Sequence, residues 1–120
     1  MRNQPKYNFF KNISYALNGI VDLVKTESSF KIELILVLVL LPVLISIDTS
    51  LINKLLMFIS LFGILIAETI NSAIERTVDL VTLEHHIMVK RAKDVGSAIV
   101  FFSIIIFIVT WLTIFYIIFF

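Results

Sequence analysis

Twenty-five consecutive residues, Gly96 to Phe120, carry no charged side chain. The hydrocarbon core of a bilayer is about 30 Å thick and takes roughly 20 helical residues to cross, so this stretch predicts a membrane span over 96–120. Trp111, Phe115, Tyr116, Phe119 and Phe120 gather towards its end, as in an interfacial aromatic belt. Two further spans are expected. One covers 30–47, densest from Leu34 to Ile45; Pro42 inside it lacks an N–H and leaves an upstream carbonyl for a kink or a neighbouring helix to absorb. The other covers 51–70, and its helical pattern continues to Val81 with no Pro and a single glycine, Gly63. A mean hydropathy of +1.02, with 59% of residues hydrophobic and 16% charged, argues against a soluble domain.

An amphipathic pattern precedes the first span. Over 8–25, Phe9, Phe10, Ile13, Ala16, Leu17, Ile20, Val21 and Val24 recur at helical spacing, while Lys11, Asn12, Asn18, Asp22 and Lys25 take the other faces. This predicts a helix lying in the membrane interface, neither a span nor a secretory signal. The expected architecture is one all-α integral membrane domain over 1–120, with a helix extension and loop over 71–95 between the last two spans.

Charge orients it. Arg2, Lys6, Lys11, Lys25 and Lys31 precede or open the first span, Arg76, Lys90, Arg91 and Lys93 lie between the second and third, and Lys54 alone falls between the first and second. By the positive-inside rule, the amino terminus and the segment around 75–95 are expected in the cytosol. Ten Lys and Arg against nine Asp and Glu leave no basic excess for nucleic acid. The absence of cysteine excludes disulfides and thiol chemistry. No phosphate-binding glycine loop, paired-histidine zinc motif or nucleophile elbow occurs.

The polar residues concentrate where the second span leaves the bilayer. Glu68, Asn71, Glu75 and Asp79 are spaced three, four and four apart, which puts them on one helix face. Glu68 lies 17 residues beyond Leu51, about 25 Å along the axis, near the inner edge of the hydrocarbon region. Glu27 and Glu33 flank the start of the first span at the same interface. Two or three carboxylates converging there would suit Mg²⁺, a hard cation that also takes substrate phosphates and waters. Between Leu83 and Ser97, Arg91 and Lys93 can bind phosphate oxygens, and Asp94 can orient Lys93 or a nucleotide hydroxyl. His85 and His86 are adjacent, do not share a helix face, and make no zinc pair by themselves. Read from the residues alone, the same stripe leaves open a small cation transporter or channel subunit, or a non-catalytic scaffold. An ion path would call for midplane carboxylates and broken helices, which the pattern lacks.

Glu68-Thr-Ile-Asn-Ser-Ala-Ile-Glu-Arg-Thr-Val-Asp79, followed by Arg91-Ala-Lys-Asp-Val-Gly-Ser-Ala98, resembles the signature of the small prokaryotic diacylglycerol kinases, which include the undecaprenol kinases. The resemblance covers nearly the whole chain. It implies a homotrimer in the bacterial inner membrane, with sites composed between subunits, transferring the γ-phosphoryl of ATP to a lipid hydroxyl at the cytosolic interface. By the same resemblance, Glu68 matches a general base, Asn71 its support, and Glu27 and Glu75 ligands of Mg²⁺. Tyr15, Glu84, His86, Lys93 and Asp94 match nucleotide contacts, and Glu33, Ser97 and Trp111 match positions near the lipid groove. Asn8 stands where members acting on diacylglycerol commonly carry an arginine. Gly96-Ser97-Ala98 is similar to the diacylglycerol branch, which implies that acceptor and phosphatidic acid as product. The His85-His86 pair with Val89-Lys90 and Ala92-Lys93-Asp94 is similar to the undecaprenol branch, which makes undecaprenol the alternative acceptor.

Overall fold

A computed structural model describes residues 6–120; Arg2, one of the positive charges counted above, lies outside them. The helices follow as α1 (Phe9–Thr26), α2 (Ser28–Ser46), α3 (Leu51–Val81) and α4 (Ile87–Phe119). The described residues contain no strand, so the fold is all-helical. Helices α2, α3 and α4 are each long and apolar enough to cross a membrane. Most of their large apolar side chains, such as Leu38, Ile59, Ile66, Phe101 and Phe102, are exposed on the chain's surface. So much apolar exposure suits lipid or a partner helix and not water.

Local chemistry sets the helix ends. Asn8 caps α1, its Oδ1 accepting from the Lys11 N–H at 3.1 Å, the usual work of an asparagine at that position. Glu27 alone is extended between α1 and α2, at φ −117° and ψ 110°. Its backbone serves both helices: the N–H donates to the Leu23 carbonyl at 2.9 Å and the carbonyl accepts from Lys31 N at 3.1 Å. Its side chain makes no cap bond and is available for other contacts. Helix α2 runs on through Pro42. Ser50 caps α3, its Oγ accepting from Asn53 N at 3.2 Å.

Only residues 82–86 separate α3 from α4, so residues 87–95, expected within a helix extension and loop, form the first turns of α4. The physical reason is at hand: the His86 Nδ1 accepts from Met88 N at 3.0 Å and starts the helix, and neither Gly nor Pro interrupts it before Gly96. An i,i+4 ion pair, Lys90 Nζ to Asp94 Oδ2 at 2.7 Å, spans these turns.

Helix α3 is central, packing on α2 and most extensively on α4, while the principal helix contact of α1 is with α2. Val37 and Leu44 of α2, Met57 and Leu61 of α3, and Trp111 and Ile114 of α4 form an apolar core in the half of the bundle nearer the α2–α3 turn. There the Trp111 Nε1 donates to the Met57 carbonyl at 3.2 Å. The buried stripe of α3 continues from Met57, Leu61 and Ile64 into Glu68, Asn71 and Ser72. One face of one helix thus changes from apolar to polar along its length, and the site is built on that polar end.

Candidate active site

Along α3, Glu68 and Asn71 are buried, at 7% and 8% exposure, Glu75 is half-buried and Asp79 is exposed. The predicted single-face stripe therefore climbs out of the protein towards the α3–α4 connection. Asn71 ties two of its rungs, its Nδ2 donating to the Glu75 Oε1 at 3.5 Å. Across α2, the Glu33 side chain comes within hydrogen-bonding reach of Glu68, and the charges of Glu75 and Glu27 both act on the Glu68 carboxyl. Three carboxyl groups, Glu33 of α2, Glu27 of the α1–α2 junction and Glu75 of α3, thus gather about one buried acid, Glu68.

Two buried atoms in this cluster have no hydrogen-bond partner among the described residues: the Glu33 Oε2 and the Asn71 Oδ1. An unmet polar group of this kind costs about 1–3 kcal/mol, which a folded protein tolerates chiefly at sites of chemistry or where a water or ion supplies the partner. The Asn71 Oδ1 packs directly on α4 at Gly96, where a Cβ would collide with it. Gly96 is a buried residue whose missing side chain lets α4 approach the amide this closely.

From α4, the Lys93 Nζ donates to the Asp79 Oδ1 at 2.8 Å and also lies within electrostatic reach of Glu75. Beside it opens a cleft of about 430 Å³ whose lining includes Asp79, Glu84, His86, Lys90, Lys93 and Asp94. It brings together Glu84, His86, Lys93 and Asp94 as expected of neighbours. Because the His86 Nδ1 is used in capping α4, Nε2 is the nitrogen left for a ligand. A wall carrying both ammonium and carboxylate groups can hold phosphate oxygens and hydroxyl groups side by side.

Three expected residues stand apart from this cleft. Tyr15 is exposed on α1. Ser97 is exposed on α4, beside Gly96. Trp111, buried at 4% exposure, lies about 22 Å along α4 from Gly96, within the apolar core. Among the described residues of the single chain, no group of three or more acidic or imidazole side chains could hold a metal alone. Glu27 and Glu75, whose charges both act on the Glu68 carboxyl, would supply the one or two carboxylates Mg²⁺ needs, with phosphates and waters completing its shell.

Sequence reasoning missed Arg76, counted there only as a topogenic charge. Its guanidinium reaches Asp22 and Thr26 of α1 as well as Glu27, the Thr26 Oγ1 accepting from Nη2 at 2.8 Å and the Glu27 Oε1 from Nη2 at 3.2 Å. These partners are 49 to 54 residues away, so only the i,i+4 pairing of Asp22 and Thr26 on one face of α1 could have hinted at them.

The sequence has relatives. The family model for prokaryotic diacylglycerol kinase matches residues 14–115. The chain is 42% identical to a diacylglycerol kinase of Pseudomonas aeruginosa over 100 residues, covering 83% of this chain and 81% of that one. It is 35% identical to the diacylglycerol kinase of Escherichia coli over 101 residues, covering 84% and 83% of the two chains. It is also 34% identical to an undecaprenol kinase of Bacillus subtilis over 98 residues, covering 81% and 80%. The matched region takes in the whole acidic cluster and the cleft beside it, and the chain belongs to the prokaryotic diacylglycerol kinases.

Proposed function

We propose that this protein phosphorylates diacylglycerol, giving phosphatidic acid, with ATP as the phosphoryl donor, at the cytosolic face of a bacterial inner membrane. The observation that carries the reading is the gathering of Glu27, Glu33 and Glu75 about buried Glu68, next to the cleft that holds Lys93 and Asp94. Family membership favours a kinase over a cation transporter.

The residues then divide the work. Tyr15, Glu84, His86, Lys93 and Asp94 bind the nucleotide, with the Lys93 ammonium against phosphate oxygens. Glu27 and Glu75 hold Mg²⁺, which when bound neutralises phosphate charge during transfer. Glu33 and Ser97 line the path of the lipid, and Trp111 packs behind it in the apolar core. The lipid hydroxyl oxygen forms the new bond to the γ-phosphorus, the bond from that phosphorus to the β–γ bridging oxygen breaks, and ADP leaves. Glu68 takes the hydroxyl proton, and Asn71 keeps the neighbouring Glu75 in place. Phosphoryl transfer asks mainly for alignment and charge neutralisation, so the lack of a glycine-rich phosphate loop is no obstacle.

A homotrimer completes the site. The position of Tyr15 away from the cleft in its own chain supports sites finished by a neighbouring subunit.

The test is direct. Purified protein in micelles receives MgATP and either diacylglycerol or undecaprenol. Phosphatidic acid formed by the parent and not by Glu68→Gln is the expected result. Transfer to undecaprenol alone would move the assignment to the other branch, which the Bacillus subtilis relative represents. Phosphorylation of neither lipid, or equal rates for parent and Glu68→Gln, would overturn the reading.

A further inference from the structure

We infer that Arg76 is a positioning residue for the metal-nucleotide site, aiming the Glu27 carboxylate by gripping one of its two oxygens. The inference rests on the kinase reading above and adds to it a residue outside the acidic stripe. Arg76 follows Glu75 directly, and one residue turns a helix by about 100°, so its side chain leaves α3 beside the stripe and not along it. Both the Nε and the Nη2 of Arg76 donate to the same Glu27 oxygen, Oε1, at 3.4 and 3.2 Å. The Glu27 Oε2 takes no part in these bonds and is left for a cation. Carboxylates that bind a metal through one oxygen are in turn held by hydrogen bonds from outer groups, and a guanidinium on the other oxygen supplies them.

The surroundings explain why such a grip is needed. Glu27 sits at the one extended residue between α1 and α2, and its side chain has no cap bond to fix it. The same guanidinium binds Asp22 and Thr26, so the last turn of α1, the junction residue and α3 meet at a single planar group. Arginine suits this role because its fork supplies several donors in fixed directions, which a lysine ammonium cannot. Stability is a poor explanation for the cluster. The side chains of Arg76, Asp22 and Glu27 are 44%, 51% and 26% exposed, and exposed ion pairs contribute little to folding.

The test reads metal binding as well as turnover. Full-length protein in micelles, with a non-hydrolysable ATP analogue, is titrated with Mn²⁺ and followed by its paramagnetic resonance signal. Arg76→Ala and the longer Arg76→Gln are expected to weaken Mn²⁺ binding about 10- to 100-fold and to raise KM for MgATP in step. Arg76→Lys recovers part of the loss, and the melting midpoint stays within a few degrees of the parent. Asp22→Asn, which removes the ion pair to α1 and keeps the grip on Glu27, leaves Mn²⁺ affinity nearly unchanged. In a Glu27→Gln background, Arg76→Ala adds no further loss.

Unchanged or tighter Mn²⁺ binding in Arg76→Ala, while Glu27→Gln loses it, overturns the inference and leaves the kinase reading intact. An Asp22→Asn loss as large as that of Arg76→Ala would assign the effect to α1 docking and overturn it too. A parent that binds no Mn²⁺-nucleotide and phosphorylates no lipid removes both.

Discussion

The two halves of the helical bundle are built on opposite rules. Nearer the α2–α3 turn, Val37, Leu44, Met57, Leu61, Trp111 and Ile114 fill the space between helices, and the indole N–H buried among them finds a backbone carbonyl. Nearer α1 and the α3–α4 connection, the same stripe of α3 presents Glu68, Asn71 and Ser72, and two buried oxygens go without partners. One half satisfies its polar groups; the other holds two that no group among the described residues satisfies. The difference teaches where to look for function in a chain this apolar: at the buried polar atoms the protein does not satisfy.

Substitutions in the two halves should therefore fail in different ways. Glu68→Gln is expected to cut the rate of lipid phosphorylation about 10²- to 10⁴-fold, the share commonly carried by a general base, without lowering resistance to unfolding. Leu61→Ala, fully buried in the apolar half, is expected to cost about 2–5 kcal/mol of stability in detergent-induced unfolding while folded protein keeps its turnover. Equal losses of rate and stability from both substitutions would erase the division.

Gly96→Ala tests the seam where α4 meets Asn71. The added Cβ must displace the Asn71 carbonyl, so the variant should lose about 1–3 kcal/mol and also activity, because Asn71 would leave Glu75. A change in stability alone would mean that the Asn71–Glu75 bond has no part in turnover. The smallest effect belongs to Lys54→Ala at the opposite end. The Lys54 Nζ donates to the Ile45 carbonyl at 2.8 Å in the last turn of α2, a helix-terminal contact worth about 0.3–1 kcal/mol, and its loss should leave the rate untouched.

What could be read in the sequence was whatever helical period and hydropathy encode. The single face shared by Glu68, Asn71, Glu75 and Asp79, the three apolar helices and the long reach of α3 all follow from local spacing. The early start of α4 was harder to see. Lys90, Arg91, Lys93 and Asp94 look like a polar connection until the His86 cap and the Lys90–Asp94 pair are in view. Arg76 and Gly96 were beyond local reading. Their meaning depends on Glu27 and Asn71, which belong to other helices or their junctions, and a charge or a glycine in isolation carries no sign of such a partner.

The most direct measurement replaces Mg²⁺ by Mn²⁺ in the membrane-reconstituted protein with a non-hydrolysable ATP analogue, and reads hyperfine coupling from the metal to isotopically labelled glutamate carboxylates. Coupling to carboxylate that diminishes in Glu27→Gln and again in Glu75→Gln is the expected result. A bound Mn²⁺-nucleotide complex with no carboxylate coupling, or coupling that survives both substitutions, would contradict the site described.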